Sequence, residues 1–144
     1  MRHGPWRVKR DGSLYEQIFF AEALKHGLEV FPPLGDYLPV DCLVMNTAGR
    51  VFKVQIKGTA HTSKEGRENP RYIVTTAFGR DSKTSIDCTK VDIVVVYLAD
   101  INFFYIIPCM AIDGAKRISL YALDSDSKAK HEKYREAWDL FKTP

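Results

Sequence analysis

The sequence has little of what several large protein classes depend on. No apolar run approaches the roughly 18 residues of a membrane-spanning helix, and the opening Met-Arg-His-Gly-Pro-Trp lacks the apolar centre of a signal peptide. The three cysteines, Cys42, Cys88 and Cys109, are odd in number and widely spaced, forming neither a zinc knuckle nor a disulfide framework. A reducing cytoplasm with no membrane partner is the expected setting. There is no glycine-rich phosphate loop of the Walker or dinucleotide type, so nucleotide hydrolysis and hydride transfer have no foothold and no organic cofactor is expected. His3, His26, His61 and His131 are scattered, without the His-Glu-x-x-His or His-x-Glu pairing of zinc hydrolases and deaminases. No Gly-x-Ser-x-Gly elbow occurs.

What is present suits an ordinary folded domain. With 144 residues, 45% of them hydrophobic and 27% charged, the chain can bury a core without staples. The net charge of +3 is compatible with nucleic acid without being diagnostic. Arg2, Arg7, Lys9 and Arg10 crowd around Trp6, and Lys64, Arg67 and Arg71 populate a polar loop. Each cluster taken alone reads equally well as solvated surface.

Residues 1–12 read as an irregular basic arm, and 13–144 as a single domain. A helix is expected from Leu14 to about His26, capped by Ser13 and stopped by Gly27. Leu28 to Phe31 is a short strand, ended by Pro32-Pro33. Residues 58–70 form a polar loop and Tyr72 to Phe78 a strand. The apolar run Val91 to Leu98 suits a strand buried on both faces, and Ile101 to Ile107 returns beside it through Ala99-Asp100. A final amphipathic helix is expected over about Ser127 to Phe141, burying Tyr134, Ala137, Trp138 and Phe141 and leaving Lys128, Lys130, Lys133 and Arg135 in water. The sum is α/β or α+β, a mixed sheet with helices packed on it.

The chemistry concentrates in Val40 to Lys57. Two alternating runs flank Asn-Thr-Ala-Gly-Arg, a hairpin signal. Val40, Cys42 and Val44 share one face of the first run, and Phe52, Val54 and Ile56 one face of the second. If Met45 pairs with Val51, Asp41 falls opposite Gln55, with Lys57 one step beyond on the same face. An aspartate and a neutral oxygen donor a few ångströms apart suit a hard cation such as Mg²⁺. A neighbouring lysine can orient water or stabilise charge on a phosphoryl group. These are parts for phosphodiester hydrolysis. Each residue also has a plainer reading. Ser13-x-x-Glu16 is a capping box, Lys53 and Lys57 could guard an edge strand, and Asp36, a rival for Asp41, suits a turn.

Asp41, followed after a hairpin-sized gap by Gln55-Ile56-Lys57, resembles the PD-(D/E)XK nuclease superfamily, in the variant with glutamine at the second acid. Glu16, Ala21, Leu24, Gly27, Val30 and Pro32 resemble the approach seen in its resolvase-like members, and Val91-Asp92 and Tyr105-Ile106-Ile107-Pro108 resemble its small members. The resemblance implies a restriction-endonuclease-like fold, a central mixed sheet flanked by helices, and an endonuclease cutting DNA with Mg²⁺, for which Mn²⁺ or Ca²⁺ could substitute. It makes Asp41, Gln55, the Ile56 carbonyl and Glu16 the metal ligands and Lys57 the catalytic lysine. Thr59, just past the strand, and Lys53 would join the two basic clusters and Trp6 in contacting DNA. A sequence-specific enzyme of the homing type and a Holliday-junction resolvase both fit, acting as a homodimer or higher homo-oligomer. Gln55 keeps a second reading open, an inactive DNA-binding module of the same fold. A third is an interaction protein whose polar hairpin face meets solvent.

Overall fold

Helix α1 spans Pro5–Lys25, in a computed structural model that describes residues 5–60, 62–63, 70–77 and 84–144, with side chains from residue 9 onward. The helix begins at Pro5, not at Leu14, so residues 5–12 of the expected irregular arm are helical. Proline suits a first helical position, because its ring presets φ and the missing N–H would have no intrahelical acceptor there. At the other end Gly27 adopts φ +77°. Leu28 N–H donates to the Ala23 carbonyl at 3.0 Å and Gly27 N–H to that of Leu24 at 3.0 Å. This pair of bonds is a Schellman stop, and a glycine carries the left-handed residue without steric cost.

Among the described residues seven strands follow: β1 Glu29–Phe31, β2 Cys42–Met45, β3 Val51–Thr59, β4 Tyr72–Thr75, β5 Ile93–Leu98, β6 Phe103–Pro108 and β7 Arg117–Leu120. The main sheet has the order β1-β2-β3-β5-β6, and β4 pairs with β7 in a second, two-stranded sheet. In the main sheet β3 and β5 run parallel, and β1–β2, β2–β3 and β5–β6 are antiparallel. Strand β3 is therefore central, and an edge-guarding role for Lys53 and Lys57 falls away. The expected register holds, with Met45 opposite Val51 and Cys42 opposite Val54.

Alternation along β3 and continuous burial of β5 place a core on each face of the sheet. On one face Phe19 and Ala23 of α1 pack with Val54, Ile56, Val95, Tyr97, Phe104, Trp138 and Phe141. On the other, Val94, Val96, Tyr105 and Ile107 pack with the β4–β7 ribbon and with the short helix α2, Cys109–Ile112. Helix α2 and strand β7 were not anticipated from the sequence.

The C-terminal helix is absent, replaced by 3₁₀ turns at Glu132–Tyr134 and Trp138–Lys142. Tertiary bonding overrides the helical periodicity. The buried Glu132 carboxylate accepts from Tyr105 Oη at 2.6 Å, Tyr121 N–H at 3.1 Å and Arg135 Nε at 2.9 Å. Glu136, at φ +46°, donates its N–H to the Phe104 carbonyl at 2.8 Å. Trp138 and Phe141 still reach the core, stacking on or tilting against Phe19. The chain end is pinned to the hairpin by Asn46, whose Nδ2 donates to the carbonyls of Phe141 at 2.9 Å and Thr143 at 2.8 Å.

One further expectation is overturned. Cys88 and Cys109 are joined in a disulfide, with Cα atoms 5.6 Å apart, tying the segment before β5 to the start of α2. The pairing is a product of the fold, since 21 positions separate the two residues. Cys42 alone is a free, buried thiol. Among the described residues no helix is long and apolar enough to cross a membrane.

Candidate functional site

Strand β2 begins at Cys42, opposite Val54, while β3 runs on to Thr59. Asp41 N–H still donates to the Val54 carbonyl at 2.9 Å, but the next amide along central β3, that of Ile56, has no backbone acceptor from β2. The Asp41 side chain fills the gap, with Oδ2 accepting from Ile56 N–H at 2.7 Å. A carboxylate is thereby held at the end of the ladder, oriented by the strand it faces. Asp36, the rival, lies in the loop before it and is exposed.

Burial raises the Asp41 pKa, while the Ile56 N–H and the nearby Lys57 ammonium pull it down. Glu16 is raised too, first by burial and then by the Asp41 charge, so the two carboxylates feel one another. They line a cleft of about 320 Å³ between α1 (Ser13, Glu16, Gln17, Phe20) and the loop from Pro32 to Val40. Ser13 lies inside α1 and cannot cap it, so the capping-box reading of Glu16 fails. What brings α1 over the strand is Gly58. A Cβ there would collide with the Tyr15 ring, so only a glycine lets the helix approach so closely.

Gln55 stands elsewhere. Its Nε2 donates to the Pro39 carbonyl at 3.3 Å, and the side chain lines a second cleft of about 370 Å³ formed with Asp36–Pro39, Ile86, Asp87, Lys90 and Val91. Gln55 Oε1 is buried without a hydrogen-bond partner. A buried amide oxygen left unpaired costs about 1–3 kcal/mol, which a cation or a donor would relieve. Among the described residues no three His, Cys, Asp or Glu side chains cluster as ligands. On the first cleft the oxygen donors are the Glu16 and Asp41 carboxylates, with the Ile56 carbonyl beside Asp41, a chemistry suited to a hard divalent cation. The orphaned Gln55 oxygen belongs to the second cleft.

The remaining candidates separate. Lys9 and Arg10 are exposed on α1. Lys53 Nζ donates to the Thr89 carbonyl at 2.8 Å, and the Lys53 amide to Asp92 Oδ2 at 2.8 Å, which joins β3 to the turn before β5. Thr59 closes β3, its carbonyl accepting from Ala99 N–H at 2.9 Å. Arg71 reaches Ser119 Oγ at 3.2 Å. Arg2, Lys64 and Arg67, and the side chains of Trp6 and Arg7, lie outside the described residues. Tyr15 and Gly58 were missed in the sequence. A glycine directly after Lys57 was the available signal, read there as the start of a loop.

A family model for PD-(D/E)XK endonucleases matches residues 6–141. The chain belongs to that family. It is thus a nuclease, of a family that generally uses divalent metal ions. Among solved structures it is similar to one described as a bacterial homing endonuclease, I-Ssp6803I, at 28% identity and a TM-score of 0.76, over 95% of this chain and 93% of that one. The restriction-endonuclease-like fold is thereby borne out. A comparison with curated proteins gives no match.

Proposed function

We propose that this PD-(D/E)XK endonuclease hydrolyses DNA phosphodiester bonds with a divalent cation, at sites chosen by sequence in the manner of a homing enzyme. The observation that carries the reading is the Asp41 carboxylate, held by Ile56 N–H at 2.7 Å beside Glu16 and Lys57. A divalent cation would be held by Asp41 and Glu16, with the Ile56 carbonyl as a further donor, and would supply Lewis-acid charge and a more acidic water. Gln55, which lines the other cleft, is left out of this set. Lys57 orients the attacking water and offsets charge that develops on the phosphoryl oxygens. Asp41 keeps one oxygen on the Ile56 amide, so its remaining lone pairs stay aimed in one direction. Lys9, Arg10, Thr59 and Arg71 contact the DNA backbone.

The likeness to a homing endonuclease favours sequence choice over junction choice. Cutting both strands calls for a homodimer or higher oligomer. The reading puts the chain inside the cell with DNA. The Cys88–Cys109 bond argues against a permanently reducing compartment, and thiol counting on protein freshly released from cells decides that point.

A second reading, an inactive DNA-binding module, is favoured by Gln55 facing the second cleft and not the one shared by Glu16 and Asp41. One assay separates the two. Plasmid and four-way junction substrates are incubated with wild type or Lys57→Ala, in Mg²⁺ or chelator. Cleavage by wild type in Mg²⁺ alone supports the enzyme. Cleavage that survives chelation or the loss of Lys57 overturns the mechanism, and binding without cleavage in Mg²⁺, Mn²⁺ or Ca²⁺ establishes the inert module.

A further inference from the structure

The loop between β1 and β2 leaves large apolar side chains in water. Leu34 is 103% exposed, Tyr37 77% and Leu38 49%, and none belongs to either core. Three large apolar side chains exposed within residues 34–38 of one loop mark an interaction surface more readily than residues scattered singly. The loop is also shaped. A Cβ on Gly35 would lie 2.7 Å from Tyr37 Cε1, so the Tyr37 ring rests against the Gly35 backbone and holds its orientation.

This loop is the common wall of both clefts. On one side it meets Glu16 and Asp41. On the other, Tyr37, Leu38 and Pro39 face Ile86 and Val91 across a cleft of about 370 Å³, with Asp36, Asp87, Lys90 and Gln55 also lining it. The two aspartates disfavour a phosphate there. Apolar walls, an exposed aromatic ring and a few polar groups suit a flat heteroaromatic group, one face stacked and one edge hydrogen-bonded. Carboxylates accept from the exocyclic amino groups of bases.

We infer that this second cleft receives a nucleobase displaced from the DNA stack, with Tyr37 as its stacking platform. The inference rests on the proposed DNA reading, because it is the nucleotide neighbouring the cleaved phosphate that would meet this wall. A base that is already unpaired enters at lower cost than one that must first be unstacked.

The test uses the full chain with Ca²⁺ in place of Mg²⁺ and two 30-base-pair duplexes, one fully paired and one carrying a single bulged 2-aminopurine. The expected result is about tenfold tighter binding of the bulged duplex, with 2-aminopurine emission quenched in the complex. Tyr37→Ala should bring the ratio towards one, and Tyr37→Trp should keep it. Because Tyr37 is largely exposed, these variants should fold, which thermal denaturation checks. Equal affinity for both duplexes in wild type overturns the inference and leaves the DNA reading standing. So does a preference that survives Tyr37→Ala, or a drop in oligomeric mass in that variant, which would make the loop a subunit interface. Binding to neither duplex overturns the DNA reading itself, and the inference with it.

Discussion

The Tyr15 ring occupies the space into which a side chain at Gly58 would project. Tyr15 precedes Glu16 on α1, and Gly58 follows Lys57 on β3, so this contact, with the packing of Phe19 and Ala23 on Val54 and Ile56, fixes how close the two elements carrying the candidate site lie. The ring also meets Tyr97 edge-on at 5.6 Å, across from Gly58 in the β3–β5 pairing. Gly58→Ala should cost about 1–3 kcal/mol through overpacking and should lower cleavage by displacing Glu16. In a double-mutant cycle Tyr15→Ala should offset part of that loss, since it removes the colliding ring. Urea denaturation and cleavage rates of the four proteins check this; strict additivity would mean that the contact is not the cause.

Asp41 has two duties that different substitutions separate. Asp41→Asn retains an oxygen for the Ile56 amide but loses the charge, so stability should be nearly kept while cleavage is abolished. Asp41→Ala leaves that amide unpaired and should cost about 1–3 kcal/mol in addition. Thermal denaturation beside a plasmid assay distinguishes the two outcomes. Equal destabilisation by both variants would show that the Asp41–Ile56 bond contributes nothing.

Gly12 lies in the interior of α1, exposed, and an added Cβ meets nothing within 4 Å. Gly12→Ala should therefore stabilise the protein by about 0.5–1 kcal/mol, by lowering the backbone entropy lost on folding. A rise in the urea midpoint at unchanged slope is the expected signature.

His131 is buried, and its pKa is pushed down mainly by burial, then by Lys130, with Lys133 adding to the effect and Glu132 opposing it. Its Nδ1 has no hydrogen-bond partner. The folded state therefore prefers the neutral ring, and the unfolded chain takes up the proton first as pH falls. This contribution to stability is fully present above the ordinary histidine pKa of about 6.5 and is lost progressively as pH falls below it towards the depressed folded value. Thermal midpoints between about pH 7.5 and pH 5 should fall less steeply in His131→Leu than in wild type. Parallel curves would exclude His131 as the cause.

The clearest part of the sequence was the hairpin. Alternation has a period of two and a slip of one residue would invert every buried side chain, so the pattern around Val40–Lys57 specifies its own register. That register is enough to bring Asp41 to the Ile56 amide. Gly27 was legible for a similar reason, because a left-handed helix stop is a local need that glycine meets. The C-terminal segment misled because its apolar residues do recur at helical spacing. What broke the helix was Glu132, whose partners Tyr105 and Tyr121 belong to other parts of the chain. No local pattern encodes such a bond.

The sequence by itself determined the strands of the main sheet, the hairpin register and the residue types available for chemistry, all of which follow from short-range periodicity and residue preference. Tertiary structure alone decided that β3 is central, that Gly58 admits Tyr15, that Cys88 meets Cys109, and that Gln55 faces a different cleft from Glu16 and Asp41. These are relations between distant segments, set by how the two cores close around the sheet.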